Sequence, residues 1–289
     1  MAPEPTSPRP QERRLVTKLR NQARGNGLSV LAGFFVVLLF STAVFAPVIA
    51  THAPTRQNFG AVLQPPSAEH RLGTDELGRD VFSRIVHGAR ISVMIGIMAV
   101  GLGALIGVSL GLLAGFYGGV VDNVIMRFID VLLAFPGILL AILIAAVLGA
   151  GLVPVILAVA IFSVPTFARL MRGSVLSVKQ RDYVEAARAA GASDGRILGS
   201  HILVNCFGPV LVYATLLMGD AILTAAALSF LGVGVAPPTP EWGAMISTAR
   251  SYMRSAPHVV LVPGVAIFLT VLAFNILGDS LRDVFDPKG

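Results

Sequence analysis

Long stretches of apolar residues with almost no charge dominate this sequence. The first, Leu28–Ile49, has 22 residues, which as an α-helix is about 33 Å long and can cross a bilayer core of about 30 Å. Over 289 residues, 55% are hydrophobic and 13% charged, whereas a soluble domain has about 25% charged residues. The sequence therefore predicts an all-α integral membrane protein and excludes a disordered chain, a coiled coil and an extracellular disulfide scaffold.

Hydropathy predicts six transmembrane helices. After the first run, five more spans are expected at Ile91–Phe116, Val124–Leu148, Leu152–Met171, Phe207–Leu231 and Val259–Leu277. A signal peptide has an apolar region of only about 7–15 residues, so residues 28–49 are expected to be a retained membrane anchor.

The distribution of basic residues predicts the orientation. Six spans place both termini on one side, and a cytoplasmic N-terminus puts fifteen of the 22 Lys and Arg residues inside, as the positive-inside rule requires. Both termini are therefore expected to be cytoplasmic, as a basic tail at 1–27 and a short tail at 282–289. Residues 50–90 form an external loop, and 91–281 form a five-helix domain with a cytoplasmic loop at 173–206. The net charge of +6 then reflects topology next to membrane lipid, and no nucleic-acid partner is expected.

Small residues recur every fourth position in the second span. The series consists of Ala99, Gly103, Gly107, Gly111 and Gly115. Residues with this spacing lie along one helix face, where small side chains let another membrane helix approach closely. The series predicts tight helix packing and does not indicate a function.

The cytoplasmic loop 173–206 has the pattern of two short helices. Arg181 and Glu185 form a favourable i,i+4 pair, and Gly191 suits the left-handed position that ends a helix. Ser193 or Asp194 can cap the next helix. Without further information this is an ordinary surface helix with a nearly bare alanine face.

Four segments, in order along residues 28–287, resemble one protein family. One segment begins with Glu185-Ala186-Ala187, has Gly191 after three more residues and, after nine further residues, continues with His201-Ile202-Leu203-Val204. This segment resembles the "EAA" loop of binding-protein-dependent ABC importer permeases. The family usually has Ile-x-Leu-Pro at the last segment, so His201 and Val204 depart from it. Residues 72–92, 228–243 and 277–287 resemble the dipeptide/oligopeptide/nickel group of these permeases. The overall pattern of the sequence is most similar to the second, C-type permease subunit of peptide and glutathione importers.

The resemblance implies a type I ABC importer permease fold in the bacterial cytoplasmic (inner) membrane. It implies a sister permease subunit in a heterodimer, two ABC ATPases that use ATP and Mg, and an external solute-binding protein that selects a peptide, glutathione, nickel or a related solute. Because the sequence has no Gly-x-x-x-x-Gly-Lys-[Ser/Thr] phosphate loop, no cofactor and no catalytic residue are expected in this chain. The resemblance assigns ATPase coupling, through contact and hinge roles, to Glu185, Ala186, Ala187 and Gly191.

Asp220 is an acidic residue near the middle of the fifth predicted span. A charge at that depth costs about 2.5–3.5 kcal/mol on insertion scales, so such residues usually face a cavity or a partner. Two interpretations stay open: an acid lining the transport pathway, or a structural hydrogen bond or ion pair to the sister subunit.

The predicted external loops contain further candidate residues. Asp75, Arg79, Asp80 and Arg84 are expected to dock the binding protein or to shape the external entrance. The apolar stripe within residues 81–86 predicts a short helix lying on the membrane surface. Glu241 and Trp242 are expected to be an interfacial anchor or, alternatively, a binding-protein contact.

Other classes of protein fit the sequence less well. A gradient-driven secondary transporter, the alternative function, would have inverted repeats and unwound polar helices at mid-membrane, and an intramembrane enzyme would need a paired catalytic group. The five histidines are scattered over both predicted sides of the membrane, with no ligand spacing between them. No metal site is therefore expected.

Overall fold

The computed structural model describes residues 27–285, which are mostly helical and contain no β-strand. The helices are α1 Gly27–Val44, α2 Ala46–Ile49, α3 Val81–Tyr117, α4 Gly119–Leu133, α5 Gly137–Leu148, α6 Leu152–Val178, α7 Asp182–Ala189, α8 Asp194–Arg196, α9 Val204–Phe230, α10 Trp242–Ala249 and α11 His258–Phe285. Short 3-10 turns occur at Phe59–Ala61 and Arg250–Tyr252, and a π-helical segment, Ile197–Leu203, joins α8 to α9.

Five helical segments are long and apolar enough to cross a membrane: α1, α3, α6, α11 and the continuous stretch Asp194–Phe230. The pair α4 and α5 counts as a sixth span only if the two are taken together, because they are bent by 87°. A multi-span, all-helical membrane fold is thus confirmed.

The third predicted span, Val124–Leu148, consists of the two helices α4 and α5 and not of one continuous helix. Its apolar run is interrupted between Leu133 and Gly137, where Pro136 disfavours helical backbone at the residue before it. The second part, α5, has only 12 residues and is about 18 Å long, shorter than a bilayer core. Average hydropathy does not detect such a break.

Several predicted boundaries also need correction. The helix predicted to begin at Ile91 begins at Val81, so the external loop ends ten residues earlier and the separate surface helix at 81–86 is wrong. These residues are the first turns of α3, with Val81 and Val86 buried in the bundle. Residues 173–178 belong to α6, and 282–285 belong to α11. Residues 1–26 of the predicted basic tail at 1–27, and residues 286–289, lie outside the described residues.

The glycine series of α3 packs directly against α6. Gly103, Gly107, Gly111 and Gly115 are all buried. A Cβ atom placed on Gly107 would lie 2.6 Å from both the Phe167 Cβ and the Val164 carbonyl oxygen, closer than non-bonded atoms can approach. The predicted close helix packing is confirmed, and α6 is its partner.

Gly107→Ala is expected to destabilise the chain by about 1–3 kcal/mol, the usual cost of overpacking a close contact. Unfolding of the detergent-solubilised protein, followed by circular dichroism, measures the effect. Gly101→Ala is the matched control, because a Cβ on Gly101, in the same helix, has no atom within 4 Å. Equal stability of the two variants would show that α3 and α6 do not pack through this glycine face.

Candidate functional site

The predicted coupling loop is built around one short helix, α7. Glu185 and Ala186 are exposed, and Ala187 is half-buried. Val184, which faces the bundle, is buried. Gly191 has a φ of 79°, and the Ala192 amide donates to the Ala187 carbonyl at 3.0 Å. This hydrogen bond closes the helix in the manner of a glycine-terminated C-cap. The predicted left-handed conformation of Gly191 is confirmed.

The second half of the loop continues into a membrane-spanning helix. The backbone carbonyl of Ser193 accepts from the Ile197 amide at 3.0 Å, but its side chain makes no capping hydrogen bond. From Asp194 the chain stays helical through α9, so the predicted second loop helix is not separate. Ile197 and Ile202 are fully buried. They attach the loop to the hydrophobic core of the bundle.

Asp220 lies on the outer surface of the described chain. Its neighbours in α9, Gly219 and Ala221, are buried, but Asp220 is exposed. No side-chain hydrogen bond or ion pair joins it to any described residue of the chain. An acid facing hydrocarbon here would be costly, so this face of α9 needs either water or a polar partner beside it.

A buried ion network holds the predicted external loop together. Arg79 Nε donates to Asp75 Oδ2 at 2.7 Å, and Arg79 Nη2 donates to Glu76 Oε1 at 2.6 Å. Arg84 Nε lies 3.2 Å from the same Asp75 oxygen, and Arg84 Nη1 donates to the Pro54 carbonyl at 3.2 Å. Asp75, Arg79 and Arg84 are each no more than 4% exposed.

Asp80 fixes the start of α3. Its Oδ2 accepts from the Ser83 amide at 2.8 Å, and its Oδ1 lies 2.9 Å from His70 Nδ1. Burial raises the pKa of the Asp80 carboxyl, but the hydrogen bonds from Ser83 and His70 outweigh burial and leave this pKa below its ordinary value. Asp80 is buried like Asp75, Arg79 and Arg84. Direct contact of these four side chains with a binding protein is therefore not supported, whereas a role in shaping the external entrance remains a prediction.

Glu241 and Trp242 are also interior residues, so the predicted interfacial anchor is wrong. The Glu241 carboxylate caps α10 by accepting from the Gly243 and Ala244 amides at 2.9 and 2.8 Å. Burial raises the pKa of the Glu241 carboxyl, although these two hydrogen bonds oppose the rise. Trp242 is 2% exposed, and its Nε1 donates to the Ile85 carbonyl at 3.1 Å. The alternative, direct contact with a binding protein, is not supported either, because neither side chain has surface to offer.

Two of the histidines that are far apart in the sequence meet in the structure. The predicted external loop brings His52 and His70 together, with ring centroids 4.9 Å apart, next to Asp80. These three residues each offer a ligand atom, and the atoms lie within 4.8 Å of one another. Hydropathy and residue spacing do not reveal this group, because the contact depends on how residues 50–80 fold back on themselves.

This chain is similar to known proteins in family, in sequence and in fold. Residues 107–288 match the family described as "binding-protein-dependent transport system inner membrane component", and residues 20–66 match the "N-terminal TM domain of oligopeptide transport permease C". The glutathione transport system permease protein GsiD of Pectobacterium atrosepticum is 53% identical over 90% of this chain and 87% of its own length. The dipeptide transport system permease protein DppC of Alkalihalophilus pseudofirmus is 46% identical over 100% and 96%.

Solved structures have the same fold. The inward-facing MetNI methionine ABC transporter aligns with a TM-score of 0.58 at 19% identity, over 70% of this chain and 97% of that chain. An amino acid ABC transporter aligns with a TM-score of 0.52 at 17% identity, over 68% and 92%. The fold is thus that of type I ABC importer permeases. From the family match and the close relatives, the chain belongs to the binding-protein-dependent transport system inner membrane components and is a permease subunit of such a system in the bacterial inner membrane.

Proposed function

We propose that this permease carries glutathione or a short peptide into the cytoplasm as one half of a heterodimeric pathway driven by two ATPase subunits. The exposed Glu185–Ala186 surface of α7 is the observation that carries this proposal. The names of the relatives, a glutathione permease and a dipeptide permease, support the substrate class. The gradient-driven alternative lacks such support, because the relatives are named as transport system permease proteins and the family description makes transport dependent on a binding protein.

In this mechanism α7 inserts into a groove of an ATPase subunit. Small side chains at Ala186 and Ala187 permit close approach, and Glu185 offers an exposed charge at the rim. When ATP closes the ATPase pair, α7 moves with it. Because Val184, Ile197 and Ile202 are packed into the bundle, that movement reaches α9 and changes the side to which the pathway opens. Gly191 is the hinge at the end of α7.

The pathway would run along the face of α9 that carries Asp220. Asp220 and Leu223 are exposed on this face, so a sister subunit placed there would close a route between the two subunits. In that position the Asp220 carboxylate can bind the ammonium group of a peptide or of glutathione. If Asp220 instead forms an ion pair with the sister subunit, its replacement would disrupt assembly of the two subunits.

Asp220→Asn is expected to leave assembly with the sister subunit intact and to lower uptake at least tenfold, because the charge that binds the ammonium group is lost. Copurification measures assembly, and uptake of labelled substrate measures transport. Asp279→Asn is the control, since Asp279 is an exposed acid near the end of α11, where interfacial water reduces the cost of its charge. Loss of assembly in Asp220→Asn would favour the structural interpretation, and unchanged uptake would contradict the pathway role.

Uptake by cells that lack the chain tests the substrate class. Labelled glutathione, a labelled dipeptide and nickel are supplied separately, with the wild-type chain restored on a plasmid. We expect glutathione or dipeptide uptake to fall at least tenfold without the chain and to return with the plasmid. Nickel uptake alone responding to the chain would contradict a peptide-like substrate.

A further inference from the structure

We infer that His52, His70 and Asp80 form a binding site for a divalent transition-metal cation, with zinc as the best-fitting example, on the external loop. This site is separate from the proposed coupling and pathway residues. It is assigned from the arrangement of its side chains and needs no assumption about the substrate.

Both imidazole rings direct their Nδ1 atoms toward the Asp80 carboxylate. His70 Nδ1 lies 2.9 Å from Asp80 Oδ1, and His52 Nδ1 lies 3.8 Å from Asp80 Oδ2. All three ligand atoms lie within 4.8 Å of one another. Ligands around a tetrahedral zinc ion, each at about 2.0–2.2 Å, are about 3.4 Å apart. To bind zinc, the hydrogen-bonded His70–Asp80 pair would therefore open slightly and His52 would move inward.

The surrounding structure holds two of the ligands in place. Asp80 accepts from the Ser83 amide at 2.8 Å, and both Asp80 and His70 are buried. The His70 backbone amide also donates to Ser67 Oγ at 3.0 Å. Preformed ligands reduce the ordering cost of binding, and hydrogen-bonded second partners of this kind are typical of protein metal sites.

The third ligand faces an open, polar space. The His52 side chain is 28% exposed, and a cavity of about 280 Å³ is lined by His52, His70 and Asp80 together with Glu69 and Arg56. The cavity provides an entry route and room for water as a fourth ligand. Glu69 and Arg56 contribute one charge of each sign to the lining.

The donor atoms favour a transition metal over magnesium or calcium. Two imidazole nitrogens and one carboxylate oxygen suit zinc and similar divalent ions, whereas magnesium and calcium prefer sites made of oxygen. A bound ion would link His52 and His70 to Asp80, the residue that caps α3. The expected effect is a more rigid external loop at the entrance to the permease.

Zinc titration of the full-length chain, purified in detergent with the subunits that copurify, tests this assignment. After removal of metals with a chelator, Zn²⁺ is added in competition with a chromophoric chelator at pH 7.5. We expect one tight site, and we expect His52→Gln to weaken it at least tenfold, because losing even an outer-shell partner of a metal ligand costs 10–100-fold. His87→Gln is the matched control, since His87 lies on α3 with its Nδ1 3.0 Å from the Ser83 carbonyl, outside the group.

Thermal unfolding provides a second readout on the same samples. Zn²⁺ should raise the unfolding temperature of the wild type and of His87→Gln, but not that of His52→Gln, because a ligand that binds the folded state stabilises it. His52 is partly exposed, so its replacement is expected to fold. Equal zinc affinity in wild type and His52→Gln would overturn the proposal, as would a response to Mg²⁺ or Ca²⁺ without one to Zn²⁺. Neither result would bear on transport.

Discussion

Trp242→Ala is expected to destabilise the chain by about 3–5 kcal/mol, the range for removing a buried aromatic side chain. Trp242 is 2% exposed and packs in the core cluster that includes Ala89 of α3 and Val259 of α11. A Cβ on Gly88 would lie 2.5 Å from the indole ring, so the backbone of α3 has come close enough to enclose it. Removal of the indole leaves a cavity that the surrounding helices can close only partly.

Chemical unfolding in mixed detergent micelles, followed by circular dichroism, measures this loss. Trp242→Phe is the control, because phenylalanine keeps most of the buried ring. It loses the hydrogen bond to the Ile85 carbonyl, at a cost of about 1 kcal/mol, and part of the buried volume, so its stability is expected to lie between wild type and Trp242→Ala. Wild-type stability in Trp242→Ala would contradict its place in the core and restore the interpretation as a membrane-interface anchor.

Ala186→Trp is expected to reduce the amount of ATPase that copurifies with the permease at least tenfold. Ala186 is exposed on α7, so the larger side chain does not disturb the fold of the permease. It does fill the space that a docked ATPase would occupy, and overpacking a close interface is strongly unfavourable. Quantitative mass spectrometry of the purified complex gives the ratio of ATPase to permease.

The matched control is Ala68→Trp, the same change at an exposed position of the predicted external loop. We expect this variant to retain the ATPase at the wild-type ratio. If Ala186→Trp also retained it, α7 would not be the docking surface. Loss of the ATPase in both variants would mean that the effect arises from general instability.

Features that depend on nearby residues could be predicted from the sequence. The glycines of α3 lie on one face because four residues are close to one helical turn, and their burial against α6 follows from their lack of a side chain. Gly191 ends α7 because its left-handed backbone favours glycine. In both cases the residue type and the local spacing contain the necessary information.

Features that depend on distant contacts could not be predicted. Glu241 and Asp80 are charged, and charged residues are usually exposed, yet here each is buried because it accepts hydrogen bonds from the first turn of a helix. Trp242 was expected at the membrane interface, since aromatic residues are enriched there, but its partner Ile85 is 157 positions away. The His52–His70 contact likewise exists only after the loop has folded.

Uptake by proteoliposomes that contain the purified complex tests the central claim most directly, that partner ATPases drive this permease through α7. Glutathione or a dipeptide is supplied with the binding protein outside, and ATP is placed on the side of the ATPase subunits. We predict accumulation that requires ATP, persists when ion gradients are dissipated and disappears in Ala186→Trp. Accumulation by the permease without ATP, driven by an ion gradient, would contradict the account.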